Sequence, residues 1–573
     1  MLQTLTTPRG ETLSGTPWQV YPRPQMRRDS YINLNGEWDF AVSSGKPETF
    51  DMRILVPFCP ESRLSGIGRH FEEGVPMWYR RRFVLPDGFR RERVLLHIGA
   101  ADQTAEVFVN GQHLCRHEGG YASFCVDITE ALAEENELVI RCTDDLHDQA
   151  FPYGKQVTNR GGMWYTPVSG IWQTVWLESV PDIYIEKLNI ENHGASVTIS
   201  TVPPLEGTVS VEPLGQFPLE NGQVTIAPEN PHFWCPDDPY LYHFTLETAQ
   251  DKVESYFAIR SLEIKKVGEY PRLCLNGKPY FFHGLLDQGY WPEGLLTAPA
   301  PESYADDILA MKNLGFNTLR KHIKVEPEEF YYQCDRLGMI VWQDMVNNGS
   351  YSYFRDTVLP TIGIQKWNDR QLHLDERSRN AFRRGAADAV NQLKNHPCIC
   401  YWTIFNEGWG QFDGDRVCGW FRTLDATRFI DATSGWFRGK NTDVDSRHQY
   451  FGKLRLKGDG LRPLVLSEFG GKTWRVEGHI FNPDKTYGYG ACPTREALNE
   501  AVATLYRESI VPAVERGLCA AIYTQVSDVE DEVNGLATYD RQVVKLDADT
   551  MLPISRALRD AMEKTVASFE KMG

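Results

Sequence analysis

No apolar run of membrane-spanning length occurs anywhere in the 573 residues, which excludes a transmembrane helix. Low-complexity tracts and internal repeats are missing too, so neither a solenoid nor a disordered scaffold is expected. Positive charge is in deficit: 60 Lys and Arg stand against 77 Asp and Glu, a net charge of −17. That balance excludes an extended nucleic-acid or anionic-membrane partner. Paired cysteines are lacking. The 12 cysteines are scattered, and the one close pair, Cys398 and Cys400, would share one face of a strand with no second pair or histidine cluster near it. They read as small buried apolar residues, neither a zinc site nor a disulfide framework. The opening run MLQTLTTPRGETLSG has no apolar signal-peptide core, so a cytoplasmic, reduced protein is the expectation.

What the chain does have is length and aromatic rings. It is too long for one core and calls for three or four domains. With 15 tryptophans and 25 tyrosines it can build β cores or line a carbohydrate site, because both use flat apolar faces. Residues 21–180 alternate like short strands, and Asn110-Gly111 marks a hairpin. A jelly-roll-like β-sandwich over 1–180 is expected. Inside it, residues 144–156 are too polar and too long for a hairpin, and either reach a neighbouring unit's pocket or form a plain excursion. A second set of strands over 181–265 fits an immunoglobulin-like β-sandwich with no catalytic signature.

Beyond residue 266 the pattern becomes strand–helix alternation. One helix is expected from a Ser303 cap to Gly315, another from Pro327 to Gly338, a third over 496–516 with a kink at Pro512, and a last one from Pro553. Eight such units make a C-terminal (β/α)8 TIM barrel over 266–573. Two of its strands stand out. Residues 398–405 are apolar and end in Asn406-Glu407, and residues 463–467 end in Glu468-Phe469-Gly470-Gly471.

Barrel strands deliver chemistry at their C-terminal ends, and neither glutamate belongs inside a buried strand. One carboxyl must protonate the leaving oxygen of a glycosidic bond while the other acts on the opposite face of the sugar. Retaining enzymes hold the two about 5–5.5 Å apart. A desolvated Glu407 beside Asn406 is the expected acid/base, and Glu468, with a donor such as Tyr450, the expected nucleophile. Trp409, Phe469 and Trp474 would form a sugar-stacking floor. The alternative for each glutamate is structural, a turn cap for Glu407 and an arginine partner for Glu468.

At these residues the chain resembles glycoside hydrolase family 2, the β-galactosidase and β-glucuronidase family. Asn35-Gly36-Glu37-Trp38, Trp78-Tyr79-Arg80-Arg81 and Val168-Ser169-Gly170-Ile171-Trp172 resemble its sugar-binding sandwich. Asn276-Gly277-Lys278-Pro279, Asn317-Thr318-Leu319-Arg320, residues 402–409 and Ser467-Glu468-Phe469-Gly470 resemble its barrel motifs. The resemblance implies Glu407 as acid/base, Glu468 as nucleophile and a retaining exo-β-glycosidase, β-galactosidase-like first. A β-glucuronidase, a pentosidase or furanosidase, and a non-catalytic carbohydrate-binding protein are the alternatives. Leu286-Asp287-Gln288-Gly289-Tyr290-Trp291-Pro292, Lys321-His322-Ile323-Lys324 and residues 524–530 depart from the better-known members. The Asn-x-Lys element by which glucuronidases grip the sugar carboxylate is not found near the last strand, which points away from that activity. Asp287, Gln288, Arg320, His322, Asp344, His448, Tyr450, Gln525 and Asp528 sit at expected strand ends and are read as substrate contacts, with second-layer support as the plain alternative. No carboxylate cluster demands a metal, and no cofactor is expected. A carbohydrate is the expected partner, and a homo-oligomer follows only from the resemblance.

Overall fold

The protein is seen in a computed structural model, which describes residues 2–570 apart from 363, 365–368, 438, 453 and 455. Two antiparallel sheets form the N-terminal region. One runs in the order Tyr31–Asn33, Val175–Val180, Arg93–Ile98, Phe124–Asp127. The other runs Met52–Val56, Gly36–Val42, Met77–Phe83, Asn136–Thr143, Thr104–Val109, Gln112–Glu118. Their alternating inward residues, among them Trp38, Leu96, Val107, Ile140 and Leu177, meet in a fully buried core of their own. Asn110 and Gly111 both take positive φ, 50° and 82°, the tight turn that joins twisted strands without splaying them. A second, smaller sandwich packs a three-stranded sheet (Lys187–Asn192, Val197–Val202, Gln223–Ile226) on a four-stranded one (Gly215–Leu219, Gly207–Val211, Tyr242–Thr248, Lys252–Phe257). It too has a separate core, which includes Ile199, Val209 and Leu246.

Eight parallel strands then form one sheet: β1 (Phe282–Asp287), β2 (Thr318–Lys321), β3 (Ile340–Asp344), β4 (Ile399–Asn406), β5 (Phe429–Ser434), β6 (Asp445–Gln449), β7 (Leu464–Gly470) and β8 (Leu518–Thr524). The ladder runs β5-β4-β3-β2-β1-β8-β7-β6. The seam between β5 and β6 is closed by Asp443 N–H to Ile430 O at 3.0 Å and by Ser434 Oγ against His448 Nε2 at 2.9 Å. The barrel's core also takes in Trp18, Phe58 and Trp172 from the N-terminal region. Helices α1 (Glu302–Asn313), α2 (Glu328–Leu337), α3 (Glu376–Leu393), α4 (Gly414–Phe421), α5 (Arg495–Leu505) and α6 (Ala548–Glu570) accompany the strands.

Three helix expectations need correction. Pro301, already helical at φ −55°, opens α1, so Ser303 lies inside it with its hydroxyl buried and unpartnered rather than capping. The 496–516 helix is broken more than kinked: a π-turn, Tyr506–Ile510, separates α5 from Val511–Val514. Pro512 has no N–H to give and its ring crowds the preceding carbonyl, which widens the ladder there. Helix α6 starts at Ala548, ahead of Pro553, which it tolerates within its first turns.

Candidate active site

Arg320 on β2 is the hub of the barrel mouth and is fully buried. Its Nε and Nη2 donate to both oxygens of Asp344, at 3.0 Å each, from the end of β3. Nη2 also donates to Asn406 Oδ1 at 2.9 Å, and Nη1 to Ser467 O and Glu468 Oε1, both at 3.0 Å. A planar fork of five N–H groups suits this task as a lysine would not. Because Asn406 accepts through its oxygen, its amide N–H2 remains a donor.

The two glutamates converge. Carboxylate oxygens of Glu407 and Glu468 and a ring nitrogen of His448 lie within 4.8 Å of one another. Glu468 receives Arg320 on one oxygen and the Tyr450 hydroxyl on the other, with His448 Nδ1 at 3.6 Å. Burial alone would raise this carboxyl, but His448, Arg320, His322 and Tyr450 outweigh it and hold it at about 2. It is therefore ionised at any working pH. Glu407 has a different setting: its side chain is 20% exposed and meets His448 Nδ1 at 2.8 Å. Since His448 Nε2 faces the Ser434 hydroxyl and the Arg320 N–H at 3.4 Å, Nε2 accepts and Nδ1 carries the proton given to Glu407.

Local backbone serves this placement. Glu407 itself sits at φ +52°, a left-handed conformation costing about 1–3 kcal/mol for a non-glycine residue. Its N–H is anchored on Ser434 O at 2.9 Å. Gly435 stands at φ +87°, and a Cβ there would lie 2.7 Å from the His448 ring. His322 donates Nδ1–H to Asp344 at 2.9 Å, and burial, partly offset by Asp344, lowers its pKa and keeps it neutral. Its Nε2 is then a free acceptor. Burial also works to raise Asp344, but Arg320 and His322 prevail and its carboxyl is lowered.

Eight of the expected site residues are thus tied together: Arg320, His322, Asp344, Asn406, Glu407, His448, Tyr450 and Glu468. Asp287, Gln288, Trp409, Trp474, Gln525 and Asp528 lie outside this hydrogen-bond network among the described residues, and each of the three aspartates has a charged partner. Asp344 accepts from Arg320 on both oxygens and from His322 on one, and so braces those groups. Asp287 is bound by Lys321 Nζ at 2.7 Å and by Gly289 N–H. Asp528 is held by Lys545 Nζ at 2.6 Å and by Gly535 N–H. Gln288 and Gln525 join each other at 2.8 Å in a separate chain that continues to Asn534 and Glu532, though Gln288 Oε1 is buried without a partner.

The expected stacking floor is corrected as well. Phe469 points away from Glu468, as successive residues of a strand must, and packs on Tyr506 and Tyr523 outside the barrel. Trp474 is half-buried against the barrel core, and no ring or hydrogen-bond contact among the described residues joins it to the glutamate pair. Trp409 does belong to an aromatic wall. It meets Trp164 at 5.0 Å and Tyr153 at 5.4 Å, both from the N-terminal region.

That wall settles the role of residues 144–156: the segment crosses onto the barrel. Tyr153 and Gly154 N–H groups donate to Asn347 O, and the Tyr153 hydroxyl to Gly349 O at 2.8 Å. Further on, Tyr165 bonds Glu532 and Arg160 pairs with Asp531 at 2.9 Å. Sequence reasoning missed Lys155, Trp164 and Tyr165 here, and also Trp436, whose ring lies 5.6 Å from His448 with its buried N–H unpartnered. Only the odd length of the polar stretch hinted at the first three. Trp436 could have been noticed in the Ser-Gly-Trp run after an expected strand.

Two sandwiches leading into an eight-stranded barrel, with paired glutamates across its mouth, define a carbohydrate-active multidomain barrel protein. Family models match the chain in three places: the glycosyl hydrolase 2 galactose-binding domain-like model at 70–161, the glycosyl hydrolases family 2 model at 182–260, and that family's TIM barrel domain at 266–455. The chain belongs to glycoside hydrolase family 2. Among curated relatives, the β-galactosidase of Thermoanaerobacter pseudethanolicus is 24% identical over 66% of this chain and 52% of its own length. Others are β-glucuronidases, including those of Bacteroides fragilis and Paenibacillus borealis. The chain spans about half the length of the first of these relatives. The solved β-glucuronidase of an uncultured Clostridium sp. shares the fold with a TM-score of 0.71 at 17% identity, covering 95% of this chain and 100% of that one. A family 2 β-galacturonidase from Eisenbergiella tayi bound to galacturonate gives 0.67 at 17% identity, over 95% and 99%. No helix among the described residues is long and apolar enough to cross a membrane.

Proposed function

We propose that the protein is a retaining exo-β-glycosidase that removes a terminal β-linked uronic acid by double displacement. The observation that carries the mechanism is the approach of Glu407 and Glu468 to within 4.8 Å, the short spacing of retaining rather than inverting enzymes. Glu468, ionised and braced, attacks the anomeric carbon and forms the glycosyl ester. Glu407, partly exposed, protonates the departing oxygen and then takes a proton from water. His448 links the two through the hydrogen bond it gives Glu407. The wall of 144–172 closes one side of the mouth and favours a terminal sugar over an internal one. We take the chain as three units, 1–180, 181–265 and 266–573, a division supported by where the family matches fall.

The uronide reading replaces the expectation of a β-galactosidase. It is supported by the names of most of the curated relatives and of the solved structures sharing the fold, which are β-glucuronidases and β-galacturonidases. β-Galactosidase stays as the second reading because one curated relative carries that name. The test is a panel of nitrophenyl β-glucuronide, β-galacturonide, β-galactoside and β-glucoside, with the first-formed anomer followed by proton NMR. Release of a β-uronic acid is the expected result. First appearance of the α-anomer would overturn the retaining mechanism, and cleavage of neutral glycosides alone the uronide assignment.

A further inference from the structure

One lysine at the barrel mouth has no ion-pair partner among the described residues. Lys155 lies in the segment that crosses from the N-terminal region, and is 9% exposed. Its backbone is fixed, since Lys155 O accepts from Tyr165 N–H at 3.0 Å and the adjacent Gly154 N–H is held by Asn347 O. The ammonium lies 5.4 Å from the centre of the Trp164 ring. Among the described residues, no carboxylate oxygen comes within 4.0 Å of it and no acceptor takes its hydrogens. The other buried lysines among the described residues are paired: Lys321 with Asp287 and Glu326, Lys324 with Glu326, Lys545 with Asp528.

Its neighbours tie it to the mouth that holds the glutamate pair. The Lys155 charge acts on His322 and on Glu532, and His322 Nδ1 is 4.0 Å from Glu468. Glu532 makes no ion pair with the ammonium, its oxygens accepting from the Tyr165 hydroxyl and from Asn534 N–H. The Trp164 ring that shields Lys155 is the same one that meets Trp409, in the turn after Glu407. An ammonium set in a largely buried wall without an ion-pair partner is placed to receive an anionic ligand.

We infer that Lys155 binds the carboxylate of the uronic acid held between Glu407 and Glu468, doing from the N-terminal region what the missing Asn-x-Lys element would do from the barrel. This rests on the uronide reading above. A single ammonium is a point charge that suits one carboxylate oxygen and leaves the other to neighbouring donors. The same pocket without a carboxylate in it would leave the lysine unpaired, so Lys155 selects against neutral sugars as well as for uronic acids.

The experiment compares wild type, Lys155→Gln and Lys155→Arg on nitrophenyl β-glucuronide and β-galacturonide and on their neutral counterparts, with thermal unfolding midpoints recorded for all three proteins. The expected result is a fall of about 100-fold in the kcat/KM ratio of uronide to neutral substrate for Lys155→Gln. That fall should come mainly through KM, with partial recovery in Lys155→Arg and an unchanged midpoint. A wild type that cleaves uronides while Lys155→Gln keeps its selectivity overturns the assignment to Lys155 and leaves the uronide reading standing. An equal loss on both substrate types also overturns it, in favour of a structural lysine. A wild type that cleaves only neutral glycosides removes both readings together.

Discussion

The hydroxyl of Tyr450 offers a clean way to test what keeps Glu468 ionised. It donates to Glu468 Oε2, touches Thr524 Oγ1 at 3.1 Å, and belongs to a ring stacked on Tyr489 at 3.9 Å between centroids and 17° between planes. Tyr450→Phe deletes the donor and keeps the stack, so the pocket should hold its shape. A hydrogen bond to a charged group contributes about 1.5–3 kcal/mol, which at about 1.36 kcal/mol per unit is a pKa change of about 1–2. With Glu468 held at about 2 and Arg320 still bound at 3.0 Å, the variant's carboxyl should titrate near pH 3–4, on the order of one to two units higher. The proposed nucleophile must be ionised, so kcat/KM is lost as pH falls through this pKa, and removing a donor moves that loss upward. Rates on an activated nitrophenyl substrate, read in short stopped assays from about pH 3 to 6, should show the acid limb of Tyr450→Phe displaced upward. An acid limb that coincides with wild type would mean that Tyr450 does not tune Glu468, and the electrostatic account of the nucleophile would be wrong.

Two stability predictions complete the set. Arg320→Met strips the counter-charge from Asp344 and Glu468, buried at 1% and 4% exposure, and should lower the unfolding free energy by about 3–5 kcal/mol in urea; a loss below about 1 kcal/mol would show the hub is not structural. In the N-terminal sandwich, burial, assisted by Glu61 and opposed by the Gln156 N–H, pushes Asp102 up to about 7. A carboxyl whose folded pKa is raised contributes stability below its unfolded value and loses it as pH rises through the folded one. Asp102→Asn should therefore gain on wild type between about pH 4 and 7, by up to about 1.4 kcal/mol per pH unit, and an advantage equal at pH 5 and pH 7 would contradict this.

The architecture was legible because its signals are periodic and local. Alternation revealed both sandwiches, Asn110-Gly111 revealed its hairpin, and strand–helix alternation revealed the barrel. The apolar run ending at Asn406-Glu407 stood out because a carboxylate at a strand end has few other reasons to be there. What the sequence hid was commitment. Asp287, Asp344 and Asp528 all lie at strand ends and look alike on paper. Which acid faces a ligand depends on whether a lysine or arginine distant in the chain already holds it. Lys321, Arg320 and Lys545 do so. Phe469 was misjudged for a simpler reason: in a strand the neighbour of an inward residue faces outward, and Glu468 had already taken the inward place.

The same reasoning explains why Lys155 escaped notice while Arg320 did not. Arg320 lies on a barrel strand, in a motif whose position predicts its direction. Lys155 lies in a polar excursion of another unit, where no periodicity says which way a side chain turns. The role proposed for it emerges only in three dimensions, where the other buried lysines among the described residues each meet a carboxylate and this one does not. On the proposed reading the barrel supplies the groups that break the bond, while the N-terminal region supplies the wall and the lysine that meets the substrate. Specificity and catalysis then reside in different units of the chain, and substitutions in residues 150–165 should change which sugar is accepted without touching how the bond is cut.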